Sequence, residues 1–380
     1  MKFSMPALRL ALICAALGEG FSAIPSGLDL ALMQQLTTNL GRNEAISPFV
    51  ISTLMSQVWL AADGPTRTQL SSALGVTDDS FLASYQSAIG SLTSGSSNVT
   101  CDVFNGLYLR DGFSVKANYS AVLSTYYSSS VSTFSGPADA AQAINAAVAA
   151  TTNNLIPRLV DAEALTDAVF VLVSALYFKG NWKEEFYADS TRPAQFLTVS
   201  GNKTVDMMHM EMRVPYVDKA SYDVISLPYT DSNYKMVLLR PAARTMASVQ
   251  SLVNSLNTLD VANILSQLQE TRLYVAMPRF KLETEYSLLS ALQALGIQHL
   301  FSGTADLGNM ADSQLLVNKV FHKVVIEVDE KGTEAAGAGG VAGITSVPPS
   351  FTLDRPFVAI VWNSLHSVNM FTAYVASPAS

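Results

Sequence analysis

Few side chains in this sequence are equipped for chemistry, and their spacing is as informative as their types. The four histidines are His209, His299, His322 and His366. None stands in the H-E-x-x-H pattern that brings two imidazoles to one helix face for a zinc ion, so each is read as structural and no metal is expected. The chain has no G-x-S-x-G elbow, which removes the α/β-hydrolase nucleophile. Gly337-Ala338-Gly339-Gly340-Val341-Ala342 does fit the dinucleotide-binding spacing G-x-G-x-x-A. That loop has to run from a strand directly into a helix. Here Asp329-Glu330-Lys331 intervenes on one side and Pro348-Pro349 closes the other, so no cofactor is expected.

The same run has a mechanical property instead. Val324-Val325-Ile326-Glu327-Val328 is patterned as a strand, and it leads through an acidic and glycine turn into small, almost uncharged residues as far as Val347. At a period of two, one face carries Thr333, Ala335, Gly337, Gly339, Val341 and Gly343, and the only charge, Glu334, falls on the other. No proline lies between Thr333 and Val347, so every residue could join a ladder of backbone hydrogen bonds. A segment that is a loop but could become a buried strand is a switch. Gly337, Gly339, Gly340 and Gly343 oppose it, each costing roughly 0.5–1 kcal/mol when ordered in a regular element.

The elements that must hold such a switch form a well-buried protein. The chain has 380 residues, 49% apolar and only 14% charged, which excludes general disorder. A net charge of -8 with no basic cluster argues against nucleic acid. Lys2 and Arg9 precede a short apolar run, Leu10 to Leu17, that reads as a secretory signal removed after Ala23, with Gly18 or Gly20 as rival sites. Residues 1–23 are thus a leader and 24–380 the mature domain, expected to be secreted and extracellular. The sequons at Asn98, Asn118 and Asn202 agree with export as candidate glycosylation sites. Without the leader, Cys101 is the only cysteine, so no internal disulfide is available. No other apolar stretch approaches membrane-spanning length, and no membrane association is expected.

Periodicity places helices at 27–40, from Ser47-Pro48 to before Gly64, at 66–74, 79–92, 115–123 and 138–155. Strands are expected at 99–109, 128–134 and 169–178. Short strands follow over 196–239, then helices at 246–256 and 259–268, a strand at 272–280, a helix at 287–295, and strands at 315–328, 357–362 and 370–375. With no internal repeat and no clean linker, this reads as one large α+β domain.

Several segments, in order, resemble the serpins, a family of serine protease inhibitors, and the resemblance covers essentially the whole mature chain. Asn43-Glu44-Ala45-Ile46-Ser47-Pro48-Phe49-Val50-Ile51-Ser52 is similar to the family's N-F-S-P-x-S-I-S, and Leu172 to Trp182 to its L-V-N-A-x-Y-F-K-G-x-W. Met277-Pro278-Arg279-Phe280-Lys281, Leu295-Gly296-Ile297, Phe301-Ser302, Ala305-Asp306-Leu307, Val320-Phe321-His322-Lys323, Glu327 to Ala336 and Asp354-Arg355-Pro356-Phe357 continue the match.

The resemblance implies a serpin fold: one large domain with a central mixed β-sheet, two further sheets, eight to nine helices and an exposed reactive loop at about residues 330–350. It implies an inhibitor, not an enzyme, whose loop is cut by a target serine protease and then inserts into the central sheet, trapping the acyl-enzyme. Carried over by position, Glu330, Gly332, Thr333, Ala335, Ala336, Gly337 and Ala338 belong to the hinge, Trp182 to the breach, and Ser47, Pro48, Ser52, Ser174 and His322 to the shutter. Ser174 departs from the family's asparagine, Val50 from its second serine and Ala373 from its usual glycine. Counting from Gly332 puts the reactive bond after Ser346, whereas the downstream match to Ser346-Val347-Pro348-Pro349 puts it after Thr345. Either residue is small and neutral, which favours elastase-like or chymotrypsin-like targets over trypsin-like ones, whose pocket wants a cation. Between Arg67 and Arg110 there is no Lys, Arg or His, so heparin is not expected to act through an early helix. A monomer is expected. A non-inhibitory member with a binding, carrier or storage role is the alternative.

Overall fold

The structure, a computed structural model, describes residues 24–93, 99–331 and 348–378. The expected leader, Asn98, the hinge residues from Gly332 to Ala338, and Thr345, Ser346 and Val347 lie outside the described residues.

Six helices and four strands make up the first half: α1 (Asp29–Leu36), β1 (Glu44–Ile46), α2 (Pro48–Ala61), α3 (Gly64–Leu74), α4 (Leu82–Thr93), β2 (Val99–Arg110), α5 (Ala117–Tyr127), β3 (Val131–Phe134), α6 (Pro137–Thr151) and β4 (Phe170–Gly180). The second half is mostly strand: β5 (Arg192–Thr198), β6 (Gly201–Asp218), β7 (Tyr222–Pro228), β8 (Tyr234–Pro241), α7 (Met246–Ser255), α8 (Val261–Ser266), β9 (Gln269–Pro278), β10 (Phe280–Ser287), α9 (Leu289–Ala294), β11 (Val317–Val328), β12 (Ser350–Thr352), β13 (Phe357–Asn363) and β14 (Val368–Val375).

The central sheet has five strands in the order β10-β11-β4-β2-β3. It is mixed, since β11 runs parallel to β4 while β10–β11 and β2–β4 are antiparallel. Its β4 is apolar without alternation because both faces are covered. Phe170, Leu172, Leu176 and Phe178 enter the main core, and Val171, Val173, Ala175 and Tyr177 pack in a second core with Ala140, Ile144 and Val148 of the alanine-rich α6. The low charge of that helix is thereby explained. The two further sheets meet in β6, which pairs with β5 and β9 over most of its length and with β7 at Tyr216–Asp218, so that nine strands form one hydrogen-bonded set. Pro215 falls at this exchange of partners, and β6 is therefore one long strand where short ones are predicted.

Helix α2 lies beneath the central sheet with all but one of its residues buried, as a helix apolar on every side requires. Ser47 caps it, its Oγ accepting the Val50 N–H at 3.3 Å, and Pro48 fills the first position, whose N–H would have no helical partner. Strand β10 was not expected. Its alternation, with Phe280 and Leu282 buried and Lys281 and Glu283 exposed, is a period-two signal, and it begins after Arg279, the single residue between β9 and β10.

One buried carboxyl ties the first helix to the last strand. Asp29 of α1 accepts a hydrogen bond from Asn369 Nδ2 of β14 at 3.0 Å, and burial pushes its carboxyl from 3.8 up to about 8. A raised carboxyl pKa means that folding binds a proton, so this group's stabilisation is present at low pH and is lost as pH rises from 3.8 to about 8. Asp29→Asn keeps an acceptor for Asn369 without the charge. It is expected to melt like the parent near pH 4 and several degrees higher at pH 8, measured by thermal unfolding across that range.

Candidate functional site

The site is the seam between β4 and β11. These strands are paired directly from Val317/Phe170 to Ile326/Phe178, with Ser174 opposite His322. Alternation turns both of those residues towards α2, into the main core.

His322 is fully buried, and its partners fix its tautomer. The Ser47 N–H donates to Nε2 at 2.9 Å, so Nε2 carries no proton and Nδ1 must, donating to Ser174 Oγ at 2.8 Å. The Ser174 hydroxyl is then free to donate to the Phe321 carbonyl at 3.4 Å, and Ser47 Oγ donates to the Met370 carbonyl of β14 at 2.6 Å. One imidazole thus ties β11 to β4 and to the start of α2. Serine in place of the family's asparagine does not leave the ring unpaired. Beside it Asn105 of β2, opposite Ser174, is oriented with its amide nitrogen towards the Val50 carbonyl at 3.2 Å. Pro48 and Ser52 are buried here as well, but the Ser52 hydroxyl has no partner among the described residues, so Ser52 adds no bond to the network seen here.

At the upper end of the seam Trp182 is 4% exposed, and its indole N–H donates to the Asp329 carbonyl at 2.9 Å. Tyr229 stacks on it at 4.6 Å between centroids. Residue 180 has to be glycine for this arrangement, because a Cβ there would lie 2.6 Å from the Tyr229 ring. Lys179 of β4 reaches Asp329 at 3.3 Å and Glu327 at 3.4 Å across the seam. Glu330, buried, points the other way. Its carboxylate accepts from the Thr191 hydroxyl and, at 2.5 Å, from Arg279 Nε at the β9–β10 junction. Glu330 therefore anchors the end of β11 on the side away from β4.

The contacts divide by direction. Ser174–His322, Trp182–Asp329 and the Lys179 pairs cross the seam and must break if β4 and β11 part, whereas Glu330–Arg279 can travel with β11 and β10. They also differ in strength. The Lys179 side chain is 36% exposed, and such ion pairs are worth about 0–1 kcal/mol. A buried hydrogen bond is worth about 0.5–1.5 kcal/mol, and losing one partner costs about 1–3 kcal/mol. Of the residues expected here, Ser47, Ser174, Trp182, His322 and Glu330 are brought together. Arg279, Thr191, Tyr229 and Lys179 were not assigned roles, because nothing in local spacing links them to the end of β11. The candidate glycosylation residues Asn118 and Asn202 are both exposed.

A profile described as "Serpin (serine protease inhibitor)" matches residues 26–378. The chain belongs to the serpin family. Iripin-2 of Ixodes ricinus is 33% identical over 382 residues, covering 96% of this serpin and 95% of that protein. Leukocyte elastase inhibitor of Bos taurus is likewise 33% identical, covering 95% of this chain and 100% of its own length. Solved structures agree in fold: native protease nexin-1 with heparin at a TM-score of 0.84 and 24% identity, covering 93% of this chain and 98% of its own, and uncleaved ovalbumin at 0.83 and 21%, covering 94% and 100%. The activity of the family is inhibition of proteases, not catalysis.

Two outcomes follow for this serpin. Ser174→Ala leaves the buried His322 Nδ1–H unpaired and is expected to lower stability by about 1–3 kcal/mol, read from denaturant unfolding. Burial pushes the His322 pKa down from 6.5 to about 3, so the ring is neutral when folded. Its stabilisation is complete above 6.5 and is lost as pH falls towards about 3, because only the unfolded chain takes up the proton in that window. His322→Gln should flatten the fall in melting temperature over that window.

Proposed function

We propose that this serpin is a secreted inhibitor of elastase-like or chymotrypsin-like serine proteases that acts by cleavage and insertion of its reactive loop. The observation that carries the reading is the direction of the strands at the seam. A segment that follows β11 and turns back runs antiparallel to β11, and because β4 is parallel to β11 it runs antiparallel to β4 too. Insertion there replaces one parallel pairing with two antiparallel ones, which are the more stable per residue and add a complete new ladder.

The sequence after β11 suits that path. Thr333, Ala335, Ala336 and Ala338 are small, and no Lys or Arg occurs between Lys331 and Arg355. A reactive bond after Thr345 or Ser346 presents a small neutral residue, and the likeness to a leukocyte elastase inhibitor supports that class of target. The leader-like start and the exposed sequons at Asn118 and Asn202 support export with N-linked glycans.

Incubation of the purified protein with elastase, chymotrypsin and trypsin tests this. An SDS-stable complex is expected with one or both of the first two and none with trypsin. Cleavage by all without any complex would assign the non-inhibitory alternative. Thr333→Arg buries a charge where insertion begins and is expected to convert most of the complex into cleaved product, as quantified on the same gels.

A further inference from the structure

Tyrosine carries a nucleophilic oxygen at the end of an apolar ring, and folding usually covers the ring and pairs the hydroxyl. Tyr187 is the exception in this chain. It is 53% exposed, whereas every other tyrosine is buried or half-buried. Its hydroxyl makes no hydrogen bond among the described residues. The position follows from its neighbour: Phe186 is 3% exposed and packs edge-on against Trp182, with centroids 6.4 Å apart. The backbone at Tyr187 is extended, at φ -73° and ψ 121°, so successive side chains point opposite ways and the burial of Phe186 turns Tyr187 to solvent.

The surroundings are of one sign. Residues 183–187 form no regular element, and one short helical turn, Ala188–Ser190, follows before β5. This connector carries Glu184, Glu185 and Asp189 against a single cation, Lys183. Glu184 and Asp189 are exposed and Glu185 is half-buried, and none of the three meets a cation or a hydrogen-bond donor among the described residues.

An exposed phenol in an extended acidic segment suits sulfuryl transfer. A transferase for that reaction has to hold an anionic donor with Lys and Arg, and an acceptor segment flanked by unpaired carboxylates is drawn to the same cations. We propose that Tyr187 is a tyrosine sulfation site, which rests on the export proposed for this serpin because proteins meet such transferases along the secretory route. The Tyr187 oxygen attacks the sulfur of a phosphoadenylyl sulfate, and the new O–S bond forms as the S–O bond to the nucleotide phosphate breaks. The phenolic proton passes to a base of the transferase, the nucleotide leaves with the electron pair, and nothing is oxidised or reduced. The product is a fixed anion between Glu185 and Asp189, on the connector that leads to Thr191 and its bond to Glu330.

Two experiments on the full chain test this. Secreted from a eukaryotic cell line and stripped of N-glycans, the protein is expected to show a gain of about 80 Da on the peptide containing Tyr187, stable to phosphatase and absent when chlorate blocks synthesis of the donor. Tyr187→Phe keeps the ring and removes a hydroxyl without a described partner, so it is expected to lose the gain at an unchanged melting temperature. Separately, the chain purified from bacteria is incubated with a tyrosylprotein sulfotransferase and labelled donor. Label is expected on the parent and not on Tyr187→Phe, and the triple variant Glu184→Gln, Glu185→Gln, Asp189→Asn is expected to label about tenfold more slowly. A chain retained in the cell yet labelled at Tyr187 by the purified enzyme would support the site and strike export alone. A secreted chain without the gain, a gain removed by phosphatase, equal labelling of Tyr187→Phe, or an unchanged rate in the triple variant would each overturn the proposal and leave export standing.

Discussion

In the central sheet two parallel strands, β4 and β11, are hydrogen-bonded edge to edge although the chain that leaves β11 could pair antiparallel with both. That closed parallel seam constrains everything around it. Both faces of β4 must be apolar, because α6 covers one and the main core with α2 the other. A polar group buried in this region costs free energy unless it is paired, and among the described residues the imidazole, the capping serine and the indole are paired, although the Ser52 hydroxyl is not.

The pairing is achieved with very few groups. One neutral imidazole joins β11, β4 and the cap of α2, and the cap serine reaches on to β14. At the upper end a tryptophan held by a stacked tyrosine takes the last carbonyl before Glu330. Nearly all the cost of opening the seam at these points lies in the two buried contacts, since the exposed lysine pairs are screened by water. The Glu330 carboxylate adds strength where none has to be surrendered. This distribution suits a sheet that is closed at rest and able to open: only a few buried side-chain contacts cross the seam, and the Glu330 carboxylate holds β11 on its other side.

Most of the scaffold was legible in the sequence. The continuous apolar run of β4, the serine and proline ahead of α2, and the alanine-rich α6 each announced their element by period or capping chemistry. The site was legible in part. His322, Ser174, Trp182 and Glu330 stood out by resemblance to a family, but their partners did not. Glu330 meets Thr191 and Arg279, and His322 meets Ser174 and Ser47, all from distant parts of the chain, and no local periodicity encodes such contacts. Strand β10 was hidden for a different reason: it follows β9 after one residue, so two strands bending at Arg279 read as one strand and a connection. The length of β6 was hidden by Pro215, a residue that usually ends a strand and here marks the change of partner.

The account rests on the seam being a parallel pairing that accepts a third strand once the chain beyond β11 is cut. The most direct measurement is the melting temperature of the purified protein before and after a single cut within residues 332–347 by a cysteine protease, which no acyl-serine trap can detain. Insertion predicts that the cut protein melts far above the intact one, with added strand signal in the far-ultraviolet circular dichroism. A cut protein that melts at or below the temperature of the intact chain would contradict it.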